Sequence, residues 1–272
     1  MSGAVVIKYG GSAMDDPAKV GEILAEIAGL ARGGVPIVLV HGGGKEISAE
    51  MKKRGLKPVF VEGFRVTNEA TMVAVEEVLD GKVNPGIVAQ LNGQGGKARG
   101  VSGRKVFLAR KAVAGMLEGG VVDLGRVGEV ERCLVEEVRK ALAAGETAVV
   151  SPVGQGNDGG AMNLNADVAA AALAGALAAE RLIYLSDVPG VLADRRDPAS
   201  LIRELRVVEL AKMEEEGVIR AGMIPKCRSA AVALRQGLKR VEFVDGRVAG
   251  TCLLYTSPSP RDRTRSRMPS SA

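Results

Sequence analysis

Two stretches share one pattern, and that pattern restricts the fold more than anything else in the chain. Val5-Val6-Ile7-Lys8-Tyr9 is a short apolar run, rich in β-branched residues, that stops at Gly10-Gly11-Ser12. Ile37-Val38-Leu39-Val40 repeats it and runs straight into His41-Gly42-Gly43-Gly44. Apolar runs without polar alternation are strands covered on both faces, which places them in a parallel sheet between helices. Hydrophobic residues make up 46% of the chain, but aromatics only 3%, with no tryptophan. The core must therefore come from Ala, Val, Leu and Ile, which suits helices lying close on a sheet. A length of 272 residues fits one large α/β domain or two smaller ones.

The periodicity predicts helices from Pro17 to about Arg32, over 45–54, from about 69 to 79 capped by Thr67 or Asn68, and from Asn84-Pro85 to 91. Short β segments are expected over 59–66, 98–101 and 106–108. After these come a glycine-rich loop over 123–128, an amphipathic helix over 129–144, a buried strand over 147–150 and a flexible loop over 151–161. An alanine-rich helix opens at 163–167 and ends near 179. A strand over 182–185, a polar surface loop around 194–197, helices near 207–216 and 225–236, and a last strand over 241–244 complete the ordered part. From Gly250 the chain turns rich in Ser, Pro and Arg without periodicity, so 250–272 reads as a disordered, foreign-looking tail. With no long linker earlier, 1–249 reads as one compact domain of two lobes, about 1–150 and 151–249.

The net charge is +5. The tail from Cys252 carries four arginines and one aspartate, so +3 of that charge belongs to it. No basic stripe interleaved with aromatics is present, which argues against nucleic acid as a partner. Three cysteines (Cys133, Cys227 and Cys252) with no pairing pattern read as reduced cytoplasmic thiols, and no closely spaced Cys/His set suggests a metal site. The N-terminus lacks the pattern of a signal peptide. The apolar run over 168–179 is too short to span a bilayer, so no membrane partner is expected.

Four chemical features emerge. Lys8 ends the first strand beside a glycine turn, either as a phosphate clamp or as a surface lysine by a tight turn. The Gly42-Gly43-Gly44 turn before a helix presents N–H groups and a positive dipole end to an anion. It is neither a Walker A loop nor a dinucleotide fingerprint, because both spacings are absent. Asp167 lies in the first turn of a helix. Lys226, after Gly222-Met223-Ile224-Pro225, begins another, where a cation is unfavourable unless an anion is near. Taken singly, Arg65 fits a surface ion pair, Asp167 a helix-start carboxylate, and Asn163 a cap. His41 is the only histidine and reads as a turn or structural residue rather than a general base.

Read together and in order, Val-Ile-Lys-Tyr-Gly-Gly-Ser-Ala-Met, Val-His-Gly-Gly-Gly, Gly-Phe-Arg-Val-Thr, Asn-Leu-Asn-Ala-Asp, Leu-Ser-Asp-Val-Pro-Gly-Val and Gly-Met-Ile-Pro-Lys resemble the amino-acid kinase family over about residues 4–248. Gly-Phe-Arg-Val-Thr followed by Gly81-Lys82-Val83-Asn84 is similar to the members acting on N-acetyl-L-glutamate. The resemblance implies a three-layer αβα sandwich with a mainly parallel central sheet. It also implies ATP-dependent phosphorylation, with Mg²⁺, of the side-chain carboxylate of N-acetyl-L-glutamate to an acyl phosphate, the second step of arginine biosynthesis. Lys8 and Lys226 would stabilise the transferring phosphoryl group, with Asp167 holding both lysines. Gly43, Gly44, Arg65 and Asn163 would bind substrate. Gly10, Gly11, Asp187, Val188, Pro189, Gly190, Val191, Leu192, Val218, Ile219 and Arg220 match nucleotide positions. No residue matches a metal ligand.

Two departures from the family pattern stand out. Ser102-Gly103 runs directly into Arg104-Lys105-Val106, which shortens a turn, and from Gly250 the family's closing strand is not recognisable, so that strand is expected to be missing. Only Met1-Ser2-Gly3 precede the first strand, which leads to the expectation of a homodimer without arginine control. Alternative readings are a kinase for carrier-linked aminoadipate in lysine biosynthesis, or a non-catalytic sensor on the same fold.

Overall fold

The computed structural model describes residues 3–11, 16–61, 63–112, 116–117, 120–121, 123–186, 190–194, 196–219, 223–246 and 265–269. Its centre is a seven-stranded sheet in the order β15-β14-β13-β1-β2-β10-β5. These strands are β1 (Val5–Tyr9), β2 (Ile37–His41), β5 (Ala98–Val101), β10 (Thr147–Val150), β13 (Arg181–Ser186), β14 (Arg240–Asp245) and β15 (Arg265–Pro269). All pair in parallel except β15, which runs antiparallel to β14.

The two-residue period of a strand divides the core between the two faces of the sheet. Val6, Val38, Val40, Ala148, Leu182 and Tyr184 pack with α5 (Glu136–Ala143), α6 (Ala166–Ala176) and α8 (Met223–Arg235). Val5, Ile7, Tyr9, Leu39, Val149 and Leu185 pack on the other side with α1 (Pro17–Arg32), α2 (Gly44–Lys53), α3 (Glu69–Val78) and α4 (Asn84–Gly93). The result is the three-layer αβα sandwich.

A second unit closes on itself. The strands β6 (Phe107–Lys111), β9 (Val127–Cys133), β11 (Val153–Gly156) and β12 (Ala161–Leu164) form a four-stranded barrel. Here the structure corrects two expectations. Residues 129–133 are strand rather than helix, and α5 begins only at Glu136. The stretch read as a flexible glycine loop contains β11. Its glycines serve packing: a Cβ on Gly154 would stand 2.9 Å from the Ala109 Cβ on the neighbouring strand β6. Glycine in a strand often marks such close backbone approach.

Two further corrections follow. Helices α3 and α4 are not separate, because a single π-helical turn, Leu79–Val83, joins them. Pro85 has no N–H to give to the preceding turn, and the widened turn falls where that bond would be missing. Asn84 accordingly lies inside the helical run and caps nothing. The tail, expected to be disordered, supplies β15, whose Met268 is fully buried against β14. The sheet therefore does have a strand beyond β14. Its Ser/Pro/Arg composition, without apolar periodicity, hid it. The hairpins β3–β4 (Phe60–Val61 and Phe64–Arg65) and β7–β8 (Met116–Leu117 and Gly120–Val121) and the short helix α7 (Leu210–Glu215) complete the described elements.

Candidate active site

The carboxyl ends of β1 and β2 open into a cleft of about 420 Å³, lined by Lys8, Gly11, Gly42, Gly43, Gly44, Arg65, Asn163 and Asp167 among others. In open parallel sheets this end is where ligands bind. The walls also carry Ile47, Phe60, Phe64, Leu79, Val127 and Leu164, so an apolar surface surrounds the polar groups.

Asp167 is fixed from its own helix outward. Asn165 caps α6, its Oδ1 accepting from the backbone N–H of Asp167 at 2.9 Å and of Val168 at 3.3 Å. That places the Asp167 carboxylate in the first turn, where the helix dipole favours it. Lys8 Nζ, at the end of β1, stands 3.0 Å from Asp167 Oδ1. This contact is an ion pair rather than an aligned hydrogen bond, because Oδ1 accepts none of good geometry. Lys226 Nζ, in the first turn of α8, donates to Oδ2 of the same carboxylate. The side chains of Lys8, Lys226 and Asp167 are 9%, 14% and 10% exposed. Burial pushes the Asp167 carboxyl up, but the two ammonium charges pull it further down, and the net position is below its usual range. The anion that makes a lysine tolerable at the start of α8 is therefore Asp167.

Tyr184, which sequence reasoning passed over, ties this arrangement together. Its hydroxyl donates to the Asp167 carbonyl at 3.1 Å and lies 3.1 Å from Ser229 Oγ, so it joins the first turn of α6 to the second turn of α8. Its ring stacks on Phe243, with centroids 5.4 Å apart. The available signal was a single tyrosine in an otherwise aliphatic strand.

The two glycine turns touch. A Cβ on Gly10 would lie 2.8 Å from the Gly42 nitrogen, and Gly42 N–H donates to the Tyr9 carbonyl at 2.7 Å. His41 sits beneath them, fully buried. Its Nδ1 lies 2.7 Å from the Gly42 carbonyl, which can only accept, so Nδ1 carries the proton. Nε2 then accepts from Asn84 Nδ2 at 3.3 Å, and that amide also donates to the Val149 carbonyl at 2.9 Å. Burial pushes the His41 pKa down to about 4, against smaller upward pulls from the Gly42 carbonyl and Asp80. His41 is a neutral structural group, in line with its reading as a turn residue.

Arg65 is buried, with Phe60 over its guanidinium at 4.7 Å. Nη2 donates to the Gly44 carbonyl at 2.9 Å and to Ser48 Oγ at 2.8 Å, and Nη1 donates to Met51 Sδ at 3.2 Å. Burial lowers its pKa from the usual guanidinium range. Among the described residues no carboxylate pairs with it, so a buried cation faces a cleft with its charge uncompensated. This is not the surface ion pair that Arg65 alone suggested. Asn163 lies in β12, not at a helix cap, and its Nδ2 donates to Thr67 Oγ1 at 3.1 Å.

Of the remaining sequence positions, the described ones do not line this cleft. Asp187, Val188, Pro189 and Arg220 fall outside the described residues. Gly190 is buried, Leu192 bridges to Leu201, and Val191 and Ile219 are buried in the core shared with α6 and α8. Val218 packs at the edge of that core. Among the described residues no group of three or more His, Cys, Asp or Glu is placed to hold a metal. No helix among them is long and apolar enough to cross a membrane.

A parallel sheet that brings an ammonium group, two glycine edges and a buried guanidinium to one cleft, with a second ammonium from α8 on the same carboxylate, suits a kinase acting on a small anionic molecule. The chain belongs to the amino acid kinase family, whose sequence model matches residues 3–245. It is 46% identical over 250 residues to the acetylglutamate kinase of Archaeoglobus fulgidus, covering 90% of this chain and 86% of that one. The acetylglutamate kinase of Akkermansia muciniphila is 42% identical over 92% of this chain and 84% of its own length. Among solved structures, N-acetylglutamate synthase from Neisseria gonorrhoeae, complexed with coenzyme A and N-acetyl-glutamate, superposes with a TM-score of 0.82 at 25% identity. It covers the whole of this chain, which spans 61% of the synthase. Carbamate kinase from Giardia lamblia bound to AMP-PNP shares the fold, with a TM-score of 0.70 at 18% identity over 98% of each chain.

Proposed function

We propose that this chain transfers the γ-phosphoryl group of ATP to the side-chain carboxylate of N-acetyl-L-glutamate, giving an acyl phosphate and ADP. One observation carries the reading: a buried aspartate that lines a glycine-edged cleft holds two lysines from distant parts of the chain. The named activity of the curated relatives supports the choice of substrate.

The chemistry matches the residues present. A substrate carboxylate is ionised near pH 7, since its reference pKa is about 4.3. It attacks phosphorus directly, one P–O bond forming as another breaks, and no proton moves. A general base is unnecessary, which agrees with a neutral, buried His41 and with the absence of any other histidine. The obstacle is repulsion between anions, and the remedy is fixed positive charge and aligned N–H donors. Lys8 and Lys226 supply the charge. Asp167, committed to both, positions them and abstracts nothing. Gly11, Gly43 and Gly44 offer backbone N–H groups free of side chains. Arg65 receives the α-carboxylate through its planar fork, with Asn163 beside it.

The nucleotide is assigned to Gly10 and Gly11 and to the segments 187–192 and 218–220. Val191 and Ile219 are buried, so they would contribute backbone rather than side chain. Mg²⁺ enters as part of the nucleotide substrate, held by phosphates and water. Asp167 is already shared by two ammonium groups. A cytoplasmic homodimer is part of the same reading. Burial drives the thiols of Cys133 and Cys227 up to about 12, which suits inert reduced cysteines.

The test is ATP-dependent trapping of the acyl phosphate with hydroxylamine. N-Acetyl-L-glutamate should give the hydroxamate, and N-acetyl-L-aminoadipate should give at most a small fraction of that rate. Reversal of that order would move the assignment to the longer substrate, and no hydroxamate from either would remove it.

A further inference from the structure

Thr67 ends the Gly-Phe-Arg-Val-Thr motif, and nothing above assigns it a task. It is fully buried between the two residues given to substrate binding. Its hydroxyl donates to the Arg65 carbonyl at 2.6 Å. A carbonyl oxygen can only accept, so the single hydroxyl proton is committed there. Towards Asn163 the Thr67 oxygen is therefore an acceptor, and the group facing it across 3.1 Å must be the donating Nδ2. The Asn163 carboxamide cannot flip without setting two acceptors against each other. Its Oδ1 is turned away from Thr67, takes no hydrogen bond among the described residues, and belongs to a side chain that lines the cleft.

Thr67 is itself held firmly. Its N–H donates to the Leu124 carbonyl at 2.9 Å, its carbonyl accepts from Arg126 N–H at 2.6 Å, and it bridges to Gly125 beside the barrel. The hydroxyl thus has a fixed origin, and its orientation passes to Asn163.

We propose that Thr67 is a positioning residue that sets the sense of the Asn163 carboxamide, so that the cleft presents an acceptor oxygen to the amide N–H of an acylated amine. The proposal rests on the functional reading above. It adds which atom of the substrate Asn163 reads and what fixes that choice.

The experiment compares N-acetyl-L-glutamate with O-acetyl-2-hydroxyglutarate, an ester that replaces the amide N–H with oxygen. A hydrogen-bond acceptor left facing an ester oxygen loses its partner, so the wild-type protein should favour the amide by about tenfold or more in kcat/KM. Thr67→Val keeps the shape and removes the hydroxyl, and its preference should fall below about threefold. Thr67→Ser should restore it. A merely structural role would lower both rates together and leave the ratio alone, so an unchanged ratio in Thr67→Val overturns the proposal. Equal rates for amide and ester in the wild-type protein overturn it as well.

Nuclear Overhauser contacts between the Asn163 Nδ2 protons and the Thr67 methyl group in the wild-type protein provide a second measurement, independent of turnover and of how the variants fold. They are expected, and their absence overturns the proposal. Failure of the functional reading has a different signature: the wild-type protein would phosphorylate neither compound while those contacts remain.

Discussion

Lys8 and Lys226 share one carboxylate: the strand-end ammonium meets Oδ1 of Asp167, and the helix-start ammonium meets Oδ2. Removing that carboxylate leaves two buried cations side by side. Asp167→Asn should destabilise the fold by about 3–5 kcal/mol at pH 7, the range for breaking a buried ion pair from one side. The sign with pH follows from the lowered carboxyl pKa. Asp167 contributes its full stability above the unfolded value near 3.9, and loses it as pH falls through the lower folded value. Urea midpoints measured down the acid limb should therefore fall below about pH 4 in the wild-type protein, and fall less in Asp167→Asn.

The contact between the glycine turns makes a second prediction. A methyl group on Gly10 would press on the backbone nitrogen and Cα of Gly42, at 2.8 and 2.9 Å, and neither can swing away. Gly10→Ala should cost about 1–3 kcal/mol, as overpacking does. Gly44, by contrast, has open space where a Cβ would go. Gly44→Ala should stay within about 0.5 kcal/mol of the wild type. Thermal unfolding of the two variants side by side checks the contrast.

Strands without polar alternation and glycines at their ends made the parallel sheet legible, because each is a local signal. Asp167, Lys8 and Lys226 were legible as oddities, such as a cation where a helix dipole disfavours one. What stayed hidden was set by tertiary contact. The glycines of β11 look like loop residues until the neighbouring strands β6 and β12 close against them. Asn84 looks like a cap until His41 and the Val149 carbonyl claim its amide. The hydroxyls of Thr67 and Tyr184 meet Asn163 and Ser229, far along the chain, so no spacing rule reveals those contacts. The π turn joining α3 and α4 has no simple sequence mark beyond a proline that ought to have broken a helix.

His41 yields a pH effect of defined sign. The folded protein keeps the imidazole neutral down to about pH 4, whereas an unfolded histidine takes its proton near pH 6.5. Between those values the unfolded chain binds more protons, so stability drops as pH falls through 6.5 towards 4. At pH 5 the loss attributable to this group is about 2 kcal/mol. Denaturant titrations at pH 7.5 and 5.0 should show that loss in the wild-type protein, and His41→Gln, whatever its absolute stability, should lack it.

Arg65 is a buried cation held by Ser48, the Gly44 carbonyl and Met51, with its charge directed to the cleft. Lysine keeps the charge but loses the planar fork. Arg65→Lys should raise KM for N-acetyl-L-glutamate by about tenfold or more, consistent with about 1.5–3 kcal/mol for a hydrogen bond to a charged group. kcat should stay within about threefold, because an α-carboxylate contact is made equally in ground and transition states. Steady-state kinetics at saturating ATP separate the two constants.

The central claim is that the two lysines act on the transferring phosphoryl group and not on ground-state binding. The most direct measurement is single-turnover formation of the acyl phosphate by Lys8→Ala and Lys226→Ala, trapped with hydroxylamine, beside KM for N-acetyl-L-glutamate. Each variant should lose on the order of 10²–10³ in rate, the size of a lost electrostatic donor, with KM little changed. A wild-type rate in either variant, or a loss confined to KM, would contradict it.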